Sequence, residues 1–240
     1  MAGRLSAIAA LIAFLAGLVF ATFSELRVFL PALLNGAVVT VQVSVLSAIV
    51  FYLSAFLAGV GKISPFAPVR WISIVYIEIF RGTSLLVQLF WFFFVLPEFG
   101  LTLSPMTAGV VGIGLNFGAY GAEIVRGAIT SIPKGQWEAA TALNMPDWKR
   151  MIRIVLPQAL VVMIPGFGNL TIEMIKATAV VSAVTLVDIT YASVQQNQLH
   201  YRTLEIFMIT LILYYCFAQL VRFGAGMLEE HSKRHLQRTV

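Results

Sequence analysis

Long runs of apolar residues are the feature of this sequence that most restricts its fold. A helix needs about 20 mostly apolar residues to cross the hydrocarbon core of a bilayer. Stretches of that length recur along the whole chain and leave no room for a sizeable soluble domain. Only 11% of the 240 residues are charged, whereas soluble domains carry about 25%. The sequence therefore predicts an all-α polytopic membrane protein with a single transmembrane domain over residues 1–240.

Six apolar segments can be drawn, and each predicts one membrane-crossing helix. Their approximate limits are 5–22, 33–60, 69–96, 104–127, 158–186 and 203–226. The first segment allows two interpretations, because a short apolar run after one basic residue also fits a cleaved signal peptide. An uncleaved helix is preferred, which gives about six transmembrane helices. Residues 1–30 are treated as an amino-terminal segment in either case.

The distribution of lysine and arginine predicts the orientation of the chain. Helical membrane proteins concentrate these residues in their cytoplasmic loops. With a cytoplasmic amino terminus most of them face the cytoplasm, and only Arg27 and Arg202 face outward. The loop at 128–157 and the tail at 227–240, which includes the carboxyl terminus, are then cytoplasmic. This asymmetry also explains the net charge of +5 without a nucleic-acid partner.

A charged segment, residues 131–157, interrupts the apolar pattern. Pro133 suits the first turn of a helix, where its missing N–H is not needed. Asn144 tolerates the left-handed conformation that ends many helices. The sequence between them predicts a short helix, and the sequence after Pro146 predicts a second, basic helix.

The composition of the first of these helices is typical of a docking surface. Ala139, Ala140 and Ala142 are small enough for another surface to approach the backbone closely. Trp137 adds one large aromatic anchor, a residue type enriched at interaction hot spots. An amphipathic loop that merely returns to the membrane explains the same residues equally well, so composition alone leaves both interpretations open.

The spacing in this loop resembles the cytoplasmic loop of binding-protein-dependent ABC importer permeases. That loop carries E-A-A, three residues, G, nine residues, I, any residue and L-P. The matching residues here are Glu138, Ala139, Ala140, Asn144, Ile154, Leu156 and Pro157. Asn144 replaces the glycine, and asparagine is the next-best residue for a positive φ. The stretches "YIEIFRGTSLLVQLFWFFF" (76–94) and "AYGAEIVRGAITSIPKGQWEAA" (119–140) are similar to the polar amino-acid branch of that family.

This resemblance covers residues 33–226 and implies a type I ABC importer permease fold, with a five-helix family core after the amino-terminal helix. It implies a bacterial inner membrane and a pathway formed by two permease chains, identical or paralogous. An ABC ATPase dimer would bind below, and a periplasmic or surface solute-binding protein would deliver a small polar amino-acid-like substrate. The ATPase contacts would come from Gln136, Trp137, Glu138, Ala139, Ala140, Ala142, Leu143 and Asn144.

The chain shows no nucleotide-binding or catalytic motif of its own. "AFLAGVGKIS" (55–64) lacks both the first glycine of a phosphate loop and the Ser or Thr that should follow Lys62. H-E-x-x-H and G-x-S-x-G are absent as well, so no metal ligand or catalytic residue is predicted. The resemblance therefore implies that ATP and Mg are bound by the partner ATPase and that this chain binds no cofactor. A secondary transporter or channel for small polar solutes remains the alternative.

Polar residues in the fifth segment predict part of a substrate pathway. Pro165, Gly166 and Gly168 predict a bend there, and transporters often bind substrate beside a disrupted helix near the membrane midplane. The pathway candidates are Asn116, Asn169, Glu173, Lys176 and Thr178. Glu173 can pair with Lys176 or meet the α-amino group of a substrate, and a gating or packing role is the alternative.

Two further sets of polar residues lie inside apolar segments. Glu78 and Arg81 stand three residues apart in the third segment and are predicted to pair along one helix face. Asn116 and Tyr120 either face the pathway or hydrogen-bond between helices. The stretch "KATAV" (176–180) replaces the K-D-T-S-L common in the resembled branch, so the resemblance does not identify the solute that is carried.

Overall fold

The computed structural model describes the backbone of residues 23–237 and the side chains of residues 28–227. Within these limits the chain consists of helices and short loops, with no strand. The helices are α1 (Phe23–Lys62), α2 (Ala67–Gly82), α3 (Leu85–Phe90), α4 (Pro105–Thr130), α5 (Lys134–Ala142), α6 (Asp147–Arg150), α7 (Leu156–Ala177), α8 (Ile189–His200) and α9 (Thr203–Gln237). The apolar segment predicted at 5–22 lies outside the described residues.

Several helices continue through turns of another helical type. α3 is followed by a π-type turn at Trp91–Val95 and a 3-10 turn at Leu96–Phe99. α6 joins α7 through a π-type turn at Met151–Val155, and α7 ends in a 3-10 turn at Thr178–Val184. In the described part of the chain, the stretches long and apolar enough to cross a membrane are Val28–Lys62, Pro105–Thr130, Asp147–Val184 and Thr203–Met227. Ala67–Gly82 and Leu85–Phe99, which is α3 with the two turns that follow it, together form one bent span.

α1 and α4 run parallel through the centre of the bundle. A Cβ atom on Gly114 of α4 would lie 2.5 Å from Cβ of Val50, and one on Gly59 of α1 would lie 2.7 Å from the carbonyl oxygen of Ala122. Only glycine permits this approach, because any side chain would collide with the neighbouring helix. The parallel arrangement brings the end of α1 and the end of α4 to the same end of the bundle, here called the loop end, which also carries α5.

The third predicted segment, 69–96, is not one helix. α2 and α3 meet at an angle of 107°, and the backbone at Thr83 is extended. Thr83 and Ser84 occupy the break, directly after Gly82 at the end of α2. Glycine is a poor helix former, and hydroxyl side chains compete for backbone hydrogen bonds. The prediction of a single helix is therefore wrong at Thr83 and Ser84.

The bend predicted in the fifth segment does not interrupt the helix. α7 runs without interruption through Pro165, Gly166 and Gly168. A proline removes only one helical hydrogen bond, and membrane helices tolerate that loss because neighbouring groups satisfy the freed carbonyl. The sharply broken span of this fold is α2–α3 instead.

α8 is held at the opposite end of the bundle by a buried carboxylate. Asp188 begins this helix, and its Oδ1 accepts a hydrogen bond of 2.8 Å from the backbone N–H of Tyr191. Its Oδ2 accepts a second bond of 3.0 Å from the hydroxyl of Tyr214 on α9. Burial raises the pKa of the Asp188 carboxyl above its ordinary value, although these hydrogen bonds act in the other direction.

Candidate functional site

One face of α5 packs against the helix bundle. Ala140 is only 1% exposed, and Trp137 packs against the main cluster of buried hydrophobic residues. Both residues are among the eight predicted ATPase contacts. Their side chains attach α5 to the rest of the permease, and Trp137 is only half-buried, so their contact with the ATPase stays a prediction.

The other predicted coupling residues lie on the exposed surface of the loop. They are Gln136, Glu138, Ala139, Ala142, Leu143 and Asn144. Leu143 is 75% exposed, and Trp148 at the start of α6 is 61% exposed. Exposed large apolar side chains beside polar ones mark interaction surfaces. The exposed aromatic residue of this loop is therefore Trp148, which the sequence analysis did not single out.

Asn144 ends α5 in the predicted left-handed conformation, with φ at 52°. The N–H of Met145 donates to the carbonyl oxygen of Ala140 at 3.1 Å, and the N–H of Asn144 donates to that of Thr141 at 2.9 Å. These two bonds form a Schellman motif, which satisfies carbonyl groups at the helix end. Asparagine thus adopts here the conformation for which the related loops use glycine.

A cluster of charges lies between α1, α2 and α4. Glu123 Oε1 is 2.6 Å from Lys62 Nζ, and Glu123 Oε2 is 2.9 Å from Arg126 Nε. Arg81 reaches the same carboxylate only at 4.0 Å, and its guanidinium lies 5.4 Å from the centre of the Tyr120 ring. Three cations share one carboxylate, so the cluster carries excess positive charge.

The predicted pair of Glu78 and Arg81 is therefore wrong. Glu78 is exposed and forms no ion pair with another described residue. Arg81 turns instead toward α4, where Glu123 offers a carboxylate that the sequence analysis did not consider. The Glu123–Arg126 spacing of three residues was visible in the sequence, but the approach of Lys62 and Arg81 depends on helix packing.

Two amide side chains form hydrogen bonds to the residues at the break between α2 and α3. Gln88 Nε2 donates to the carbonyl oxygen of Phe80 at 2.9 Å and to Thr83 Oγ1 at 2.6 Å. Asn116 Nδ2 donates to the same Phe80 oxygen at 3.0 Å and to Gln88 Oε1 at 3.1 Å. Carbonyl groups freed by a break at membrane depth need such partners, because lipid offers none.

Two of the predicted pathway residues, Asn116 and Thr178, are buried between helices. Asn116 is only 5% exposed, and its amide group bonds between helices. Thr178 is fully buried, and its hydroxyl donates to the carbonyl oxygen of Ile175 at 2.7 Å. In this structure both side chains make helix contacts, and their place in the pathway stays a prediction.

Asn169, Glu173 and Lys176 form an exposed polar stripe along α7. Their spacing of four and three residues places them on one helix face. Glu173 and Lys176 form no ion pair with each other or with another described residue, so their predicted pairing is wrong in this structure. The stripe exposes two charges on a membrane-spanning helix, and such groups normally face a water-filled cavity or another protein.

A cavity of about 540 Å³ lies between α1, α7 and α9, and none of the predicted pathway residues lines it. Its walls are mainly apolar, including Phe56, Met163 and Phe167. The polar groups of Tyr52 and Thr171 at its wall hydrogen-bond to each other at 2.7 Å. A polar solute would find few free partners in this cavity, so it does not mark the substrate pathway.

Comparison with known proteins shows the family. Residues 50–231 match the family described as "Binding-protein-dependent transport system inner membrane component". The chain belongs to this family. The permease is 44% identical to the probable amino-acid ABC transporter permease protein y4tF of Sinorhizobium fredii, over 86% of this chain and 89% of that one. It is 40% identical to the L-cystine transport system permease protein TcyB of Bacillus subtilis, over 67% and 69% of the two chains.

A solved structure supports the same assignment. The permease superposes on a chain of an amino acid ABC transporter, solved with histidines, with a TM-score of 0.81 and 30% identity. The match covers 87% of this chain and 98% of that chain. The protein is thus a multi-pass membrane permease of an ABC importer, and not a secondary transporter or channel. Permeases of this family are not enzymes; a separate ATPase subunit and a solute-binding protein are their partners.

Proposed function

We propose that this permease carries amino acids or amino-acid-like solutes across the inner membrane of a bacterium. The single observation that carries the proposal is the exposed polar stripe of Asn169, Glu173 and Lys176 on the membrane-spanning α7. A zwitterionic solute offers both charges that such a stripe can bind. The amino-acid transporters among the relatives support the same solute class.

The proposed pathway runs between the stripe on α7 and the break between α2 and α3. Arg81 directly precedes this break, and the Phe80 carbonyl bonds to Asn116 near the middle of the 26-residue α4. Broken helices near the midplane are common at transporter substrate sites. Because both Glu123 oxygens already bond to other cations, Arg81 is the cation best able to receive a substrate carboxylate. Glu173 would then meet the amino group.

A second permease chain, identical or paralogous, completes this pathway in our proposal. The charged stripe on α7 is exposed in the single chain, and lipid is an unfavourable neighbour for it. A partner chain facing α7 would enclose the stripe and leave room for water and solute. The bulk of the exposed apolar surface would still face lipid.

The loop end of the bundle is the proposed cytoplasmic end, with the carboxyl terminus on the same side. Lys62 and Arg126 lie there with α5, and the basic residues Lys149, Arg150 and Arg153 follow. This accumulation agrees with the preference of Lys and Arg for the cytoplasmic side. ATP and Mg would be bound by the ATPase below α5, and this chain would bind no cofactor.

The exposed part of α5 is the proposed contact with the ATPase. Glu138 is exposed near the helix start, whereas Trp137 and Ala140 hold the opposite face against the bundle. Glu138→Lys reverses one charge at this surface without removing a packing contact. We expect the variant permease to fold and to lose solute uptake and the stimulation of ATP hydrolysis by loaded binding protein.

The test uses the complete importer, reconstituted in proteoliposomes with its ATPase and binding protein. Uptake of the standard amino acids and ATP hydrolysis are measured for the wild type and for Glu138→Lys. Glu98→Lys, which reverses an exposed charge at the opposite end of the bundle, is the control for charge alone. Normal uptake and normal ATPase stimulation in Glu138→Lys would refute α5 as the coupling contact.

A further inference from the structure

Arg150 joins α5 to the helix that carries the polar stripe. Its NH1 group donates to Thr141 Oγ1 on α5 at 2.8 Å, and its NH2 group lies 2.7 Å from Asp147 Oδ1 on α6. The guanidinium also lies over the ring of Trp137, 5.3 Å from the ring centre. One side chain therefore contacts α5 at two points while it is anchored at the start of the next helix.

The contacts of Arg150 continue into the backbone of α5. Thr141 Oγ1, which accepts from Arg150, donates to the carbonyl oxygen of Trp137 at 2.8 Å. Arg150 Nε is buried and has no acceptor among the described residues. The other two guanidinium nitrogens bond to residues of two different helices. The guanidinium geometry is thus set by the bridge between the helices.

The helix that starts beside Arg150 extends far into the membrane. From Asp147 to Val184 the helical span is 38 residues long, or about 57 Å at 1.5 Å per residue. Asn169, Glu173 and Lys176 lie on this same span. Arg150 and the polar stripe therefore belong to one helical span, which includes the π-type turn at Met151–Val155.

The covalent link between α5 and α6 is short and well ordered by its hydrogen bonds. The Schellman motif closes around Asn144, and Pro146 restricts the backbone immediately before α6. The Arg150 bridge adds a side-chain contact between the two helices that this turn joins.

We propose that Arg150 is a positioning residue that makes α5 and the span 147–184 move as one body. It thereby transmits the movement of the ATPase to the substrate pathway. The proposal rests on the proposed docking of the ATPase on α5. Lysine does not replace arginine in this role, because an ammonium group cannot donate in a planar fork and stack on an aromatic ring together.

The test separates coupling from stability and from ATPase binding. In the reconstituted importer, Arg150→Gln is expected to lower the amount of amino acid taken up per ATP hydrolysed by about tenfold, within the usual range of coupling between sites. ATPase co-purification and basal ATP hydrolysis should stay close to wild type. Arg150→Lys should show most of the same loss. A residue needed only for folding would instead lower the protein yield and both rates together.

Two further variants serve as a charge control and as the partner in a double-mutant cycle. Lys149→Gln removes the same charge from the neighbouring residue, whose ammonium group contacts the Trp148 ring and not α5, and it should remain coupled. Thr141→Val removes the hydrogen bond between Arg150 and α5 from the α5 side, so combining it with Arg150→Gln should add little further loss. Normal uptake per ATP in Arg150→Gln, or loss of ATPase binding, would overturn the proposal. If Glu138→Lys uncouples the importer while Arg150→Gln does not, the docking proposal stands and this one fails.

Discussion

The polar residues at membrane depth form two groups with opposite environments. Gln88, Asn116 and Glu123 lie between helices, and each has hydrogen-bond or ionic partners on neighbouring segments. The stripe on α7 is exposed, and its charged residues have no ionic partner among the described residues. Satisfied polar groups fix the arrangement of helices, whereas unpaired exposed groups remain available to a solute or to a second chain. Polarity alone does not distinguish the two roles; the partners do.

The largest effect is expected from removing Glu123. Glu123→Leu leaves Lys62, Arg126 and Arg81 without their shared carboxylate, and the resulting repulsion should lower the free energy of unfolding by about 2–3 kcal/mol. Thermal unfolding in detergent measures the change. Glu78→Leu, which removes an exposed carboxylate from α2, is the matched control and should change stability little. Equal stability of the two variants would show that the charge cluster does not hold the helices.

A smaller loss of stability is expected when one of the two amide side chains at the helix break is replaced. Asn116→Leu removes a donor to the Phe80 carbonyl and to Gln88, which should cost about 1–2 kcal/mol. The same unfolding experiment on Asn169→Leu tests an exposed amide of α7, and there we expect a change within about 0.5 kcal/mol. Similar losses of stability in both variants would contradict the distinction between polar residues that are hydrogen-bonded between helices and polar residues that are exposed on α7.

Substitutions in the exposed stripe on α7 should change transport and leave stability unchanged. Glu173→Gln keeps the shape of the side chain but removes its charge, so it should weaken the contact with a substrate amino group and lower uptake about tenfold at low solute concentration. The unfolding temperature should be unchanged. Glu98→Gln, at the opposite end of the bundle, controls for loss of a carboxylate. An unchanged apparent affinity for the solute would count against Glu173 as a contact.

The smallest effect is expected at the end of α5, where backbone conformation decides the outcome. Asn144 has a φ of 52°, and alanine in that region should cost about 1 kcal/mol more than asparagine. Glycine adopts the conformation without that cost, so Asn144→Gly should keep wild-type stability. Denaturant unfolding of both variants measures the difference. If the alanine variant were as stable as the glycine variant, the left-handed turn would not be needed here.

The sequence predicted the features that depend on local pattern. Apolar length indicated the membrane spans around 104–127 and 203–226, and the structure places α4 and α9 there. Local turn preference indicated the end of α5 at Asn144, which the backbone confirms. The E-A-A spacing indicated the family, which the comparisons confirm. Each of these features is encoded within a few neighbouring residues or within the hydrophobicity of one segment.

The errors concern contacts between segments that are distant in sequence. Glu78 and Arg81 are close in sequence, yet Arg81 turns to Glu123 because α2 packs against α4. Trp137 was predicted to contact the ATPase, and its packing against the bundle was not foreseen. The one helix break between Ala67 and Phe90 occurs at residues 83–84, where no break was predicted and where Gln88 and Asn116 supply the missing hydrogen bonds.

By itself, the sequence determined that this protein is an α-helical membrane permease with an E-A-A loop, because hydrophobic length and motif spacing are local properties. Tertiary structure decided which polar groups form hydrogen bonds or ion pairs between helices and which stay exposed. That choice depends on the partner each side chain meets across a helix interface, and a buried polar group without such a partner is too costly to keep. The same packing placed Arg150 between α5 and the helix of the polar stripe.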